Sequence, residues 1–352
     1  MDFGIADVPI LVVAYIVIGL KTMFWSVNGQ LSIAKLALTL GFGVVAFALL
    51  HQRKSRHIKP RAIVRALFPD RFFGASSRAD VLMLLLNLYL VTLILGWALL
   101  SQHTIAAFTN STLHTWLGAL APTAWSPWAT GALLTVALFL AYEFAYWFDH
   151  FLSHRVPFLW QFHKVHHAAE VLTPLTNFRV HPVDTLVFYN MVALTTGLTD
   201  GLVSYLFGST IKPFTLWNAN ALIVIGAFLV QQLQHTNFWI PFTGIWGKIF
   251  ISPAHHQIHH SLNPVHYDKN MGGNLSVFDW LFGTLHIPSK QREKLTFGVD
   301  DRSPHAHSVE GLLITPVVDA SKLVLRGLGR RFRSKPRSVS APAVTEPMPQ
   351  SS

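Results

Sequence analysis

Uncharged apolar runs dominate the chain and are separated by short polar segments. Residues 81–142 hold no Asp, Glu, Lys or Arg, and neither do 36–52 or 213–247. A helix of about 20 apolar residues crosses a bilayer core. Stretches near 8–26, 31–50, 80–100 and 129–149 meet or approach that length, with Lys21 the single charge inside the first. Two shorter stretches, near 186–207 and 214–234, are interrupted by Asp200 and joined by a turn around Lys212 and Pro213. They read either as a tight spanning hairpin or as a segment that dips into the membrane. The fold class this predicts is all-α, an integral-membrane helical bundle of about four spanning helices plus a short hairpin.

Composition strengthens that reading. Of 352 residues, 51% are hydrophobic and 12% charged, against roughly 25% charged in ordinary soluble domains. Mean hydropathy is +0.39, which argues against a conventional soluble enzyme. The absence of cysteine excludes disulfides, thiolate zinc sites, cysteine-ligated Fe–S clusters and cysteine nucleophiles.

The net charge of +10 is set by two basic segments. One carries Arg53, Lys54, Arg56, Lys59, Arg61 and Arg65; the other carries Lys322, Arg326, Arg330, Arg331, Arg333, Lys335 and Arg337. Segment 101–128 carries no charge. The positive-inside rule puts both basic segments on the cytoplasmic side and 101–128 on the opposite side. The chain then returns to the cytoplasm near residue 149, so the residues that follow form a cytoplasmic cap. Nucleic-acid binding is not expected, because stacking aromatics do not interleave with these charges, Phe332 apart. With Asp2 and Asp7 and no basic n-region, the N-terminus is not expected to be a cleavable signal peptide. The last fifteen or so residues, rich in Ser and Pro, are expected to be disordered.

Histidine supplies the candidate chemistry. Of 19 histidines, eight fall in three clusters: His150 and His154; His163, His166 and His167; His256, His259 and His260. On a helix, i and i+4 share a face and i+3 lies close beside them, so each cluster aims two or three imidazoles at one point. Imidazole is among the commonest transition-metal ligands. Eight of them converging without a metal would leave many buried donors and acceptors needing partners. So many nitrogens exceed the four to six positions of one ion, which implies two ions. By ligand type alone, iron, zinc, copper and nickel all fit.

The order H-x3-H, eight residues, H-x2-H-H and a distant H-x2-H-H resembles the fatty acid hydroxylase/sterol desaturase superfamily of integral-membrane di-iron enzymes. Flanking residues agree. Arg155 follows the first cluster, Leu159, Trp160, Gln161 and Phe162 lead into the second, and Phe178 to Pro182 come after it. Ser252 and Pro253 precede the third cluster, Ser261 closes it, and Asn270 to Leu275 lead on to Phe278–Thr284. The match covers about residues 130–290. Phe151 stands where an arginine is common in the family, and Met271 where an aromatic residue is common; neither change removes a ligand.

The resemblance implies a membrane-bound di-iron oxygenase that hydroxylates or desaturates a lipid, with two iron ions as cofactor and O2 as co-substrate. It makes His235 a ninth ligand. His181 is expected to support a ligand or the fold, and Asp279 to orient a ligand imidazole. Tyr146 and Glu143, one and two turns before His150, are candidates for a substrate channel or for packing. His255 and His266 flank the third cluster and are not expected to ligate; His103 and His114 lie on the opposite side.

The implied organisation is N-terminal membrane helices with a basic loop (1–79), a hydroxylase-like catalytic membrane domain (80–290) and a basic, partly disordered tail (291–352). With no cysteine, no G-x-G-x-x-G turn and no segment large enough for a haem domain, electrons must come from a separate partner, a ferredoxin or a b-type cytochrome with its reductase. Fatty acyl chain, sterol, ether lipid and carotenoid all remain open as substrate, and so does hydroxylation against desaturation. Two other classes remain as alternatives. A metal transporter or sensor would place its ionisable residues at the bilayer midplane. A zinc hydrolase would keep three protein ligands and an open position.

Overall fold

The structure is a computed structural model describing residues 8–25, 33–52, 61, 64–65, 68–89, 95–121, 124–208, 211–299 and 305–333. The basic residues at 53–60, Lys335, Arg337 and the Ser- and Pro-rich tail lie outside the described residues.

Helices make up most of the described chain. In order they are α1 (Val8–Phe24), α2 (Ile33–Gln52), α3 (Ala75–Leu86), α4 (Gln102–Leu117), α5 (Pro127–Arg155), α6 (Pro157–His167), α7 (Pro182–Phe207), α8 (Ala221–Gln234), α9 (Gly244–Ile249), α10 (Pro253–His259), α11 (Val277–Phe282) and α12 (Thr315–Arg333). A two-residue hairpin, β1 (Thr215–Leu216) with β2 (Ala219–Asn220), precedes α8.

Proline opens every helix that carries a clustered histidine. Its fixed φ suits the first helical position, and its missing N–H would be unpaired there in any case. Pro127 follows Ser126, whose hydroxyl caps Ala129 N–H at 3.2 Å. Pro157 ends α5 and starts α6 after a single extended residue, Val156. Pro253 follows Ser252, which exchanges hydrogen bonds with His255 in a capping box. These starts set the helical phase of every histidine downstream.

Helices α5 and α7, of 29 and 26 residues, are long and apolar enough to cross a membrane. On α7, Leu194, Leu198, Leu202 and Leu206 lie four residues apart and are all exposed, an apolar stripe that water would not favour. Exposed Trp97, Trp116, Trp125 and Trp128 precede or begin α5. Trp128 and His150 lie on the same helix, about 33 Å apart at 1.5 Å per residue. That is one bilayer core, with an aromatic girdle at one end and the histidines at the other.

Two expectations change. The stretch 80–100 is not α-helical throughout: α3 stops at Leu86, a π-helical turn covers 87–89, and beyond 90–94, which lie outside the described residues, Gly96–Ala98 form a 3-10 turn. The polar residue in that run stands where the helix type changes: the Asn87 amide donates to the carbonyls of Phe178 (3.1 Å) and Val180 (2.7 Å). The uncharged segment 101–128 contains a helix, α4, which packs along α7. The contact is a G-x3-G crossing. A Cβ on Gly197 would lie 2.7 Å from Ile105 Cβ, and one on Gly201 would lie 2.5 Å from Thr109 Cβ. Only glycine allows backbones that close.

One buried ion pair ties the histidine helices to the rest. Arg179 and Asp80 are both fully buried and meet at 3.3 Å. Arg179 also donates to the carbonyls of Val165 (2.8 Å), Ser76 (3.1 Å) and Ala306 (3.2 Å), which joins α3, α6 and the approach to α12. Asp80 accepts from the hydroxyls of Thr173 and Thr176. Around this hub Ala79, Met83, Val165 and Leu312 form an apolar cluster. Removing one partner of a buried pair leaves the other charge uncompensated, at a cost of about 3–5 kcal/mol. Asp80→Asn should therefore lower the thermal midpoint of the detergent-solubilised protein sharply. A midpoint equal to that of the natural sequence would show that Arg179 is not held by this pair.

Candidate metal centre

The nine expected histidines converge, and they sort into two cages. Ring nitrogens of His150, His154, His163, His167 and His259 lie within 4.8 Å of one another, and those of His166, His235, His256 and His260 form a second such group. All are buried except His154, which is partly so. Helical phase explains the sorting. Each i, i+4 pair stays together: 150 with 154 and 163 with 167 in the first cage, 256 with 260 in the second. The i+3 members, His166 and His259, each point into the other cage. The two H-x2-H-H motifs therefore interlock the cages. His235 enters from the end of α8, where the helix breaks at a non-helical C-cap.

The nitrogens fit metal ions. Contacts between facing Nε2 atoms are 3.1 Å for His154–His167 and His259–His167, and 2.9–3.2 Å among the second group. Ligands about 2.1 Å from one ion lie roughly 3.0–3.4 Å apart. Outer hydrogen bonds turn lone pairs inward in the first cage. Nδ1 of His150 donates to Met271 O (2.8 Å), that of His163 to Asp184 Oδ2 (3.0 Å) and that of His259 to Lys269 O (2.7 Å). A neutral imidazole has only one N–H, so the inward Nε2 atoms of these three carry lone pairs. Those of His150 and His163 are buried without a hydrogen-bond partner among the described residues. A cation answers that arrangement and a proton network does not.

The two cages differ in support. In the second, Nδ1 of His166, His235, His256 and His260 has no hydrogen-bond partner among the described residues. Burial first, and neighbouring imidazoles second, hold His166, His167, His256 and His260 well below the ordinary histidine range. His235 and His259 are pushed down to about 3 by the same causes. These six histidines are neutral and ready to coordinate at physiological pH.

The other expected residues act at one remove. Asp279 touches no imidazole. Its carboxylate accepts from the N–H groups of Met271 (2.8 Å) and Gly272 (2.9 Å), and Met271 O in turn holds His150. His181 caps α7, with Nδ1 accepting from Val183 N–H at 3.1 Å and Nε2 facing Leu313 O at 3.2 Å. Glu143 holds the backbone N–H groups of Asn274 and Leu275, each at 2.8 Å, and does not line the cavity. His255 bonds Ser252. His114 packs on Tyr205 in the α4–α7 layer, and His103 begins α4.

Sequence reasoning missed Asp184, which bonds a ligand-type histidine directly. It also missed Asp268, 3.6 Å from His154 Nδ1 and 3.5 Å from Arg155. The signal for Asp184 was its place in the first turn of a helix opened by His181 and Pro182.

A cavity of about 720 Å³ opens beside both cages. Leu84, Leu88, Tyr142, Tyr146, Phe188 and Phe228 give it an apolar, aromatic wall, and His150, His163, His166 and His235 stand at its metal end. Asp149 and Asp184 share that end.

Fold and site together define a membrane helical protein with two polyhistidine cages opening onto an apolar cavity. The fatty acid hydroxylase family profile matches residues 135–284, a segment that contains all nine cage histidines. Over that segment the chain is similar to the fatty acid hydroxylase family. It is 28% identical to alkylglycerol monooxygenase of Danio rerio over 174 residues, covering 49% of this chain and 34% of that protein. It is 32% identical to ornithine lipid hydroxylase OlsE of Rhizobium tropici over 163 residues, covering 46% and 44%. The human alkylglycerol monooxygenase is 28% identical over 175 residues, covering 49% and 34%. The matches thus span between a third and under a half of those relatives' lengths. No solved structure matches the chain.

Two outcomes follow. Unfolded histidine titrates near 6.5, whereas His235 and His259 in the fold titrate at about 3. Between those values the unfolded chain binds protons that the folded chain does not, so stability is full above about pH 6.5 and falls as pH drops toward 3. The thermal midpoint of metal-stripped protein should decrease between about pH 7 and pH 5; a flat profile would contradict neutral buried imidazoles. Separately, Asp184→Asn should weaken metal binding in the first cage about 10–100-fold, seen as faster release to a chelator from that cage than from the second. Equal release of both, or no change, would remove Asp184 from that role.

Proposed function

We propose that the protein is a membrane-bound di-iron oxygenase that hydroxylates a lipid, using O2 and electrons supplied by another protein. The observation that carries this reading is the meeting of two histidine cages with the end of an apolar cavity inside a membrane helix bundle. Relatives named for alkylglycerol and ornithine lipid oxidation support a lipid substrate. Bound iron would supply O2 activation and removal of hydrogen from an unactivated C–H bond.

The chain's own residues do the remaining work. The aromatic and aliphatic wall from Leu84 to Phe228 takes the lipid chain out of the bilayer and excludes water. Tyr146 and Phe188, with ring centroids 5.6 Å apart, lie beside His150 and set how a methylene approaches the cages. Met271 O, Asp184 and Lys269 O keep the first-cage imidazoles oriented. Desaturation uses the same ligand set and is an outcome of the product analysis.

The proposed topology places α1, α2 and the segment from α3 as further spans beside α5 and α7, with the cages on the cytoplasmic side. The basic residues of 51–65 and of α12 share that side and offer a dock for an acidic ferredoxin or b-type cytochrome. Closed cages at one end of the spans favour an enzyme over a transporter. Sets of five and four nitrogens exceed the three ligands of a hydrolytic zinc site.

The test is product formation from candidate lipids in proteoliposomes, with iron, O2 and a donor system. Two irons per chain are expected, with turnover that needs the donor and weakens as salt rises. His154→Ala, His167→Ala and His260→Ala should abolish turnover while leaving membrane insertion intact; His103→Ala and His114→Ala should be nearly silent. Turnover with NADPH and this chain alone, or zinc serving as well as iron, would overturn the reading.

A further inference from the structure

Beyond the cages a third group of ligand-type side chains comes together. Ring nitrogens of His266 and His286 and a carboxylate oxygen of Glu293 lie within 4.8 Å of one another. His286 and Glu293 fall past the segment matched by the family profile. His266 is only 4% exposed, and its Nδ1 is buried without a hydrogen-bond partner among the described residues. Its Nε2 stands 3.5 Å from Glu293 Oε2, long for a charge-assisted hydrogen bond. It matches the edge of a zinc tetrahedron, about 3.4 Å for ligands about 2.1 Å from the ion. The His286 ring meets His266 edge-on, with centroids 5.0 Å apart and planes at 72°.

The surroundings hold this geometry in advance. Asn270 grips the backbone of His286 from both sides, accepting from its N–H at 2.7 Å and donating to its carbonyl at 2.9 Å. Asn263 caps the short turn that carries His266, accepting from Val265 N–H at 3.2 Å. Ser289 N–H donates to the other Glu293 oxygen at 3.4 Å, which leaves Oε2 facing the histidines. His286 and Glu293 are partly exposed, so water can fill a fourth position.

We propose that His266, His286 and Glu293 bind a single zinc ion, a third metal site separate from both cages. Two imidazoles with one carboxylate select a divalent transition metal over calcium or magnesium. The ion fastens the segment after α11 onto the loop that carries Lys269 and Asn270. Lys269 O is also the acceptor that orients His259, so the clip stiffens the backing of the first cage.

The experiment is metal counting on the full chain in detergent, after equilibration with excess zinc and removal of free ion. The natural sequence should hold three ions per chain, one for each group, and Glu293→Gln or His286→Gln should hold two. His260→Ala, which disrupts a cage, should retain the ion that Glu293→Gln loses. Zinc should protect residues 287–299 from protease in the natural sequence and not in Glu293→Gln, a near-isosteric change at a partly exposed position. Metal content and protection identical in the natural sequence and both variants would overturn the third site and leave the cages untouched.

Discussion

Everything in this molecule answers to one constraint: nine imidazoles must be packed into the interior and aimed at two centres. Neutral histidine in an apolar interior is costly unless each nitrogen finds a partner. The first cage meets the cost from outside, with a carboxylate and two backbone carbonyls receiving the outer N–H groups. The inward lone pairs suit a cation. The fold's less obvious parts serve the same end. Arg179 anchors α6 through Val165 O, Asp279 fixes the Met271 peptide, and Glu143 pins the strand-like turn at Asn274 and Leu275. Each is a buried charge satisfied by the backbone that it positions.

The close α4–α7 crossing works with that constraint from the far end of the bundle. It lets α7 lean on α4 through glycine while its leucines face outward. The first turn of the same helix carries Asp184, so the packing that seats α7 in the bundle also sets the partner of His163.

The site was largely legible in the sequence because helical phase is a local property. Spacings of three and four residues put imidazoles on one side of a helix whatever the tertiary context, and all nine expected histidines meet. Three-dimensional convergence decided the rest. That His166 and His259 trade cages depends on how α6 and α10 face each other, which no local spacing encodes. Asp184 and Asp268 reach their histidines across elements. Hydropathy located α5 and α7 but not the change to π-helix at 87–89, where Asn87 turns inward to bond carbonyls of a distant loop. It also gave no sign that an uncharged stretch after Ser101 would fold as a helix, since α4 is defined by its caps and by the glycines opposite it.

Interlocked motifs also govern the order of assembly. Helix α10 and the residue after it give His259 to one cage and His256 and His260 to the other. During synthesis the first cage lacks its fifth nitrogen, and the second lacks half of its set, until the same short turn emerges. Both cavities are thus finished by one late event. A nascent chain therefore has no long stage at which one cage is complete and the other still unmade.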